Sequence, residues 1–183
     1  MARYLIEPST ELAVSLPLAK TNLRLEPDET HMDDLVTLWV SGIAANLEHE
    51  IGQCLMPQTW QVTQNVFTPA IELPHPVIGV TSIKYIDIDG AEQVLDASGY
   101  RLERERYRTA VVPALGTDWP TGTSITIQAK CGFGSDAASV PDNIRLYILA
   151  KLVEQFDPVT RLERDTVQSV YTDRLLDACR AYS

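Results

Sequence analysis

Two short stretches carry the residue types of a metal or general acid–base site: "HMDD", with His31, Asp33 and Asp34, and "EHE", with Glu48, His49 and Glu50. Their spacing argues for other roles. Asp33 and Asp34 stand where a helical pattern begins, and carboxylates in a first turn meet the positive end of the helix dipole. Glu48, His49 and Glu50 follow one another on the same helix, so they point in different directions and read as a solvated surface. His75 lies between Pro74 and Pro76 with no second ligand at a metal-binding interval. "CGFGSD" has two glycines but lacks the Gly-Lys-Ser/Thr ending of a phosphate loop and the third glycine of a dinucleotide fingerprint. Gly132 and Gly134 therefore read as the turn out of a strand. Cys131 alternates with apolar residues and has no base assigned to it, so it reads as packing and not as a nucleophile. No catalytic, cofactor-binding or metal-ligating residue is assigned, and no cofactor is expected.

The one basic concentration is "YRLERERYR", which sets Arg101, Arg104, Arg106 and Arg108 among Glu103 and Glu105. Mixed signs on a hairpin suit pairing with charges on another protein better than binding to a phosphate backbone. The residues assigned to partner or subunit contact are Arg104, Arg106 and Arg108 here, Arg161 and Arg164 in the polar stretch "DPVTRLERDTVQS", and Tyr182 near the C-terminus.

Helices and strands must position these groups. After an extended arm, "SLPLAKTNLRL" predicts a short helix with Ser15 as N-cap, Pro17 in the first turn and Leu18, Asn22 and Leu25 at helical spacing. Residues 30–53 repeat apolar side chains at steps of three and four through Met32, Leu35, Val36, Trp39, Val40, Ile43, Leu47 and Ile51. Gly52 and Pro57 stop that helix. From Gln58 the period becomes two, with Trp60, Val62 and Val66 on one face and Gln61, Thr63 and Asn65 on the other. Pro74 and Pro76 suit an edge or a connection. "SIKYIDIDGAEQVL" predicts a hairpin turning at Asp89-Gly90 in a type I′ loop, and "SITIQAKCGF" alternates with Ile125, Ile127, Ala129 and Cys131 inward. Helix returns at "SVPDNIRLYILAKLVEQF", with Ile144, Tyr147, Ile148, Leu152 and Phe156 as the buried stripe. A last helix spans 169–181 with Tyr171, Leu175, Leu176 and Cys179.

The expected class is α+β: residues 14–57 and 133–183 form a helical bundle, and residues 58–132 form an inserted antiparallel β module that projects from it. The chain of 183 residues can bury a core without disulfides. Cys54, Cys131 and Cys179 are odd in number and widely spaced, as expected of free thiols in a reducing compartment. No apolar run approaches the roughly 18 residues of a membrane span, and no export signal is expected. A net charge of −10 repels phosphate, which argues against tight nucleic-acid binding.

Four stretches, taken in order, resemble the head-tail connector (adaptor, or head completion) proteins of tailed bacteriophages and related prophages. They are "SLPLAKTNLRLEPDETHMDDLVTLWVSGIAANLEHEIGQCLMPQTW", "LPHPVIGVTSIKYIDIDGAEQVLDASGYRLE", "VVPALGTDWP" and "CGFGSDAASVPDNIRLYILA". They cover most of residues 14–156, and the "PQTW" joint is similar to the version of the family with a β insertion. The resemblance implies a non-enzymatic virion protein at the neck, made in the host cytoplasm and docked as a ring beneath the portal protein. That ring would extend the DNA channel, let DNA pass without specific binding, and offer a platform for the stopper or tail-completion protein. It also implies that the long helix packs between subunits, that a C-terminal tail seeks the portal, and that no membrane is involved. Rival readings are another head-tail interface component (stopper or tail terminator), a carboxylate-based hydrolase, and a small regulatory or nucleic-acid-binding module.

Overall fold

The computed structural model describes residues 1–157, 174–177 and 179, and the chain divides into two compact units. One contains residues 1–9 and 57–133; the other contains residues 10–56 and 134–183. The passage at Met56 and Pro57 coincides with the change of hydrophobic period from helical to alternating.

The first unit is all antiparallel β. Its larger sheet has the order β1-β2-β8-β4-β5, built from β1 (Ala2–Glu7), β2 (Gln58–Val66), β4 (Val77–Ile86), β5 (Glu92–Val94) and β8 (Thr123–Cys131). A second sheet has the order β3-β7-β6, from β3 (Ile71–Leu73), β6 (Tyr100–Arg104) and β7 (Thr109–Pro113). The central strand β8 sets the pattern, because Ile125, Ile127, Ala129 and Cys131 are buried on one face. Val62 of β2 and Ile83 of β4 lie opposite Ile127, so three branched side chains meet in one row of the core. The other face of β2 and β8 is polar, and there Gln128 donates to Gln61 at 3.3 Å.

The structure adds to the sequence expectation at two points and corrects it at a third. The N-terminal arm is strand β1, paired with β2 from Ala2 opposite Thr63 to Glu7 opposite Thr59. Pro74 and Pro76 lie in the connection between β3 and β4, as their type suggested, and β4 is an interior strand of ten residues between β8 and β5. The hairpin at Asp89-Gly90 is not a type I′ turn: only Gly90 has a positive φ, of 82°, and its N–H bonds the Asp87 carbonyl. That is a type I turn closed by a left-handed glycine, the three-residue alternative whose twist also fits a hairpin.

The second unit holds α1 (Leu16–Asn22), α2 (Asp33–Ile51) and α3 (Asp142–Phe156). α2 ends at Gly52, whose φ of 67° is the left-handed conformation a C-terminal glycine supplies and whose N–H bonds the Glu48 carbonyl. Val36, Val40, Leu47 and Ile51 form its buried stripe and meet Ile144, Tyr147, Ile148 and Leu152 of α3 in the core. The two helices run antiparallel. Trp39, near the start of α2, meets Phe156 at the end of α3 edge to face at 6.3 Å. At the other end Gln53 donates to the Cys179 carbonyl at 2.7 Å and Asn143 to the Leu175 carbonyl at 2.7 Å. Phe156, expected in the buried stripe, is exposed, because it is the last residue of α3 and has no following turn of that helix to cover it. Most of the expected helix 169–181, including Tyr171, lies outside the described residues; Leu176 and Cys179 are buried. None of the three cysteines is in a disulfide, and all three are buried.

In α1 the buried side chains are Ala19 and Lys20, whereas Leu18 faces solvent. The Lys20 ammonium donates to the Pro27 carbonyl at 3.1 Å and the Glu29 carbonyl at 2.8 Å, and it pairs with Asp33 Oδ1 at 2.8 Å. A cation is tolerated inside only when its donors are met, and here they tie α1 to the start of α2.

Candidate interaction surfaces

The residues that resembled a chemical site serve the fold. Asp33 holds Lys20, and His31 Nε2 approaches Glu29 Oε1 at 3.4 Å. Glu48 is not simply solvated, because its Oε1 accepts from the Leu55 N–H at 2.6 Å and secures the chain just past α2. The Gly132 N–H donates to the Pro76 carbonyl at 2.8 Å. Gly134 lies so close to Ser139 that a Cβ would overlap it, which is why a glycine is needed there. Among the described residues no group of three or more His, Cys, Asp and Glu side chains is placed to hold a metal ion. A hollow of about 460 Å³ opens over the ends of β1, β2 and β8. Thr63, Gln64, Asn65, Ser124 and Thr126 line it, so its side chains supply hydrogen bonds but no carboxylate pair.

The arginine stretch resolves into a hairpin. β6 ends at Arg104, residues 105–108 turn with the Glu105 N–H on the Arg108 carbonyl at 2.8 Å, and β7 begins at Thr109. Arg104 and Arg106 are exposed. The Arg106 guanidinium lies 5.1 Å from the ring centre of Tyr107. Arg108 makes a 2.7 Å ion pair with Glu72 of β3, and Arg3 of β1 approaches the same carboxylate at 3.5 Å. Glu72 therefore links the two sheets, and Arg108 is partly committed within the chain. Arg161, Arg164 and Tyr182 lie outside the described residues.

His75, weighed from the sequence only as a metal ligand, proves to support this hairpin. Its Nδ1 is 3.0 Å from the hydroxyl of the buried Thr109. Burial pushes the imidazole pKa below 6.5, and a hydrogen bond to the Arg106 backbone opposes that shift in part. The neutral ring thus pins the base of the arginine turn. The only sequence signal was the pair of flanking prolines, which fix the loop that carries it.

A second surface lies on α2. Leu35, Leu38, Gly42, Ala45 and His49 are all exposed and recur at steps of three and four, opposite the buried stripe. Leu38 is 67 % exposed. Leu35, expected inside, faces outward because only the face carrying Val36 and Val40 turns to the core. Steps of three and four are the spacing by which one helix packs along another, and Gly42 and Ala45 leave room for close approach.

No family model matches the sequence, and no curated protein matches it. Solved structures do share the fold. A chain in "Neck of empty GTA particle computed with C6 symmetry" matches at a TM-score of 0.70 and 21% identity, over 85% of this chain and 84% of that one. A chain in "Virion of native gene transfer agent (GTA) particle" matches at 0.70 and 21%, with the same coverage. A chain in "Neck of native GTA particle computed with C12 symmetry" matches at 0.63 and 22%, over 84% of this chain and 82% of that one.

Proposed function

We propose that this protein is a structural component of the neck of a phage-like particle: a head-tail connector that forms a ring under the portal protein, continues the DNA channel and receives the stopper or tail-completion protein. The observation that carries this reading is the breadth of the fold match. It covers 85% of this chain and 84% of a chain in a neck structure, so it cannot rest on the β unit or the helical unit alone.

Two features support it. The outward row of α2 offers an apolar face of heptad spacing to another helix, as packing between ring subunits requires. A net charge of −10 favours a channel through which DNA slides without adhering. On this reading the protein turns over no substrate and needs no cofactor, its place is the virion neck after assembly in the host cytoplasm, and it does not engage a membrane.

The test is cryo-electron microscopy of assembled particles with this chain traced in the density. A ring at the exit of the portal is expected. Finding the chain in the capsid shell or tail tube, or absent from the particle, overturns the proposal. In the same particles Leu38→Glu is expected to reduce incorporation while leaving the purified chain folded, since Leu38 is exposed and supports no core contact.

A further inference from the structure

The β unit has two chemically different ends. At the entry end, where the chain passes to and from the helical unit, Gln58, Cys131 and Val77 lie side by side. His75 brings Thr109 and the arginine turn to this same end. At the tip end Val66, Thr123 and Ile86 lie side by side. Residues 87–91, joining β4 to β5, and 114–122, joining β7 to β8, both turn there.

Each tip turn is rigid and presents one bare aliphatic side chain. Ile88 is 80 % exposed and Leu115 is 86 % exposed. Behind Ile88, the Asp87 carboxylate accepts from the Asp89 and Ala91 N–H groups at 2.9 Å and from Gln93 at 2.8 Å. Behind Leu115, the Thr117 N–H and hydroxyl both bond the Ala114 carbonyl, at 3.1 and 2.9 Å. Farther along the same loop Trp119 stacks on Phe67 at 4.9 Å and donates to the Thr68 carbonyl at 2.8 Å, while Phe67 meets Tyr85 edge to face at 5.6 Å. Scattered exposed aliphatic side chains are ordinary. Two, each on an immobilised turn at one end of a unit, have the form of pre-organised anchors that lose little entropy on docking.

Charge says what they dock on. The tip turns carry Asp87, Asp89 and Asp118 and no Lys or Arg, whereas the turn at the entry end carries the exposed Arg104 and Arg106 against Glu105, with Arg108 paired to Glu72. Toward the same end of the strands, Ile78 and Leu5 are about two-fifths exposed. Like ends repel and unlike ends attract, which disfavours a two-fold pairing of identical surfaces and favours a head-to-tail one.

We propose that the acidic tip end of one copy of this chain docks on the arginine turn of the next, with Ile88 and Leu115 as anchors. This contact rests on the ring reading above and supplies part of its subunit interface, separate from the α2 face. Repeated with a rotation, it closes a ring.

The test is a charge exchange in assembled particles. Asp89→Arg with Asp118→Arg gives a chain with two basic ends, and Arg104→Glu with Arg106→Glu gives one with two acidic ends. Each alone should lower the chain per particle about tenfold or more, and the two expressed together should restore it, because unlike chains can alternate around an even ring. The substituted side chains are exposed, and circular dichroism of each purified chain confirms folding. Wild-type incorporation by either single chain overturns the contact, as does failure of two folded chains to rescue one another. If the wild type itself is not at the neck, the connector reading fails separately. The contact is then decided in concentrated purified chain carrying Ile88→Cys and Arg106→Cys: a disulfide-linked ladder upholds it, and monomer alone overturns it.

Discussion

Removing the ammonium of Lys20 tests the helical unit where it is most exacting. The side chain is only 6% exposed and satisfies two carbonyls and one carboxylate, while Asp33 is 28% exposed and keeps access to water. Breaking a buried pair by deleting one partner costs about 3–5 kcal/mol, because the other charge is stranded. Hydration of Asp33 softens that figure, but the Pro27 and Glu29 carbonyls also lose a charged donor, each such bond being worth about 1.5–3 kcal/mol at most. Lys20→Met, which keeps the stem and removes the charge, is therefore expected to destabilise the helical unit by about 2–4 kcal/mol. Asp33→Asn should cost less, since both carbonyl bonds survive. The assay is urea unfolding followed by the helical circular dichroism signal, with the double variant closing a thermodynamic cycle. A loss below about 0.5 kcal/mol for Lys20→Met, the range of an ordinary surface change, would refute the reasoning.

Other perturbations probe the β unit. A Cβ at Gly122 would stand 2.8 Å from the Ile86 carbonyl oxygen and 2.5 Å from the Tyr85 ring, so Gly122→Ala should cost about 1–3 kcal/mol, whereas Gly79→Ala, with open space around it, should be nearly silent in the same melt. Ile127→Ala removes the centre of the buried row and should lower stability by about 2–5 kcal/mol; Thr126→Ala on the polar face should stay within about 0.5 kcal/mol in the same denaturant titration. His75 has a lowered folded pKa, so as pH falls below 6.5 the unfolded chain takes up the proton first. The stability from its neutral form is fully present above that pH and is lost as pH drops toward the folded pKa. His75→Gln should flatten that part of the pH–stability profile, and an unchanged slope would remove His75 as its source.

Much of the local structure was legible in the residues. Apolar steps of three and four mark α2, the step of two marks β8, and Gly52 marks the end of α2, because each reflects geometry the backbone imposes within a few residues. The sorting of "HMDD" and "EHE" away from catalysis followed from the same local directions. What the residues left open concerns partners far apart in sequence. Whether Leu35 faces in or out depends on which side of α2 meets α3, more than ninety residues later. The arm 2–7 becomes a strand only because β2 offers it an edge, and Lys20 is recognisable as buried only once Pro27, Glu29 and Asp33 close around it.

The candidate surfaces divide in the same way. The arginines at 104, 106 and 108 announced themselves by composition, and Glu103 and Glu105 among them made protein contact the better reading. That Glu72 engages Arg108, that His75 fixes the turn, and that Ile88 and Leu115 stand with three aspartates at the opposite end required the strand order. Periodicity specifies which face a side chain takes along its own element; only the pairing of distant strands determines which side chains share an end.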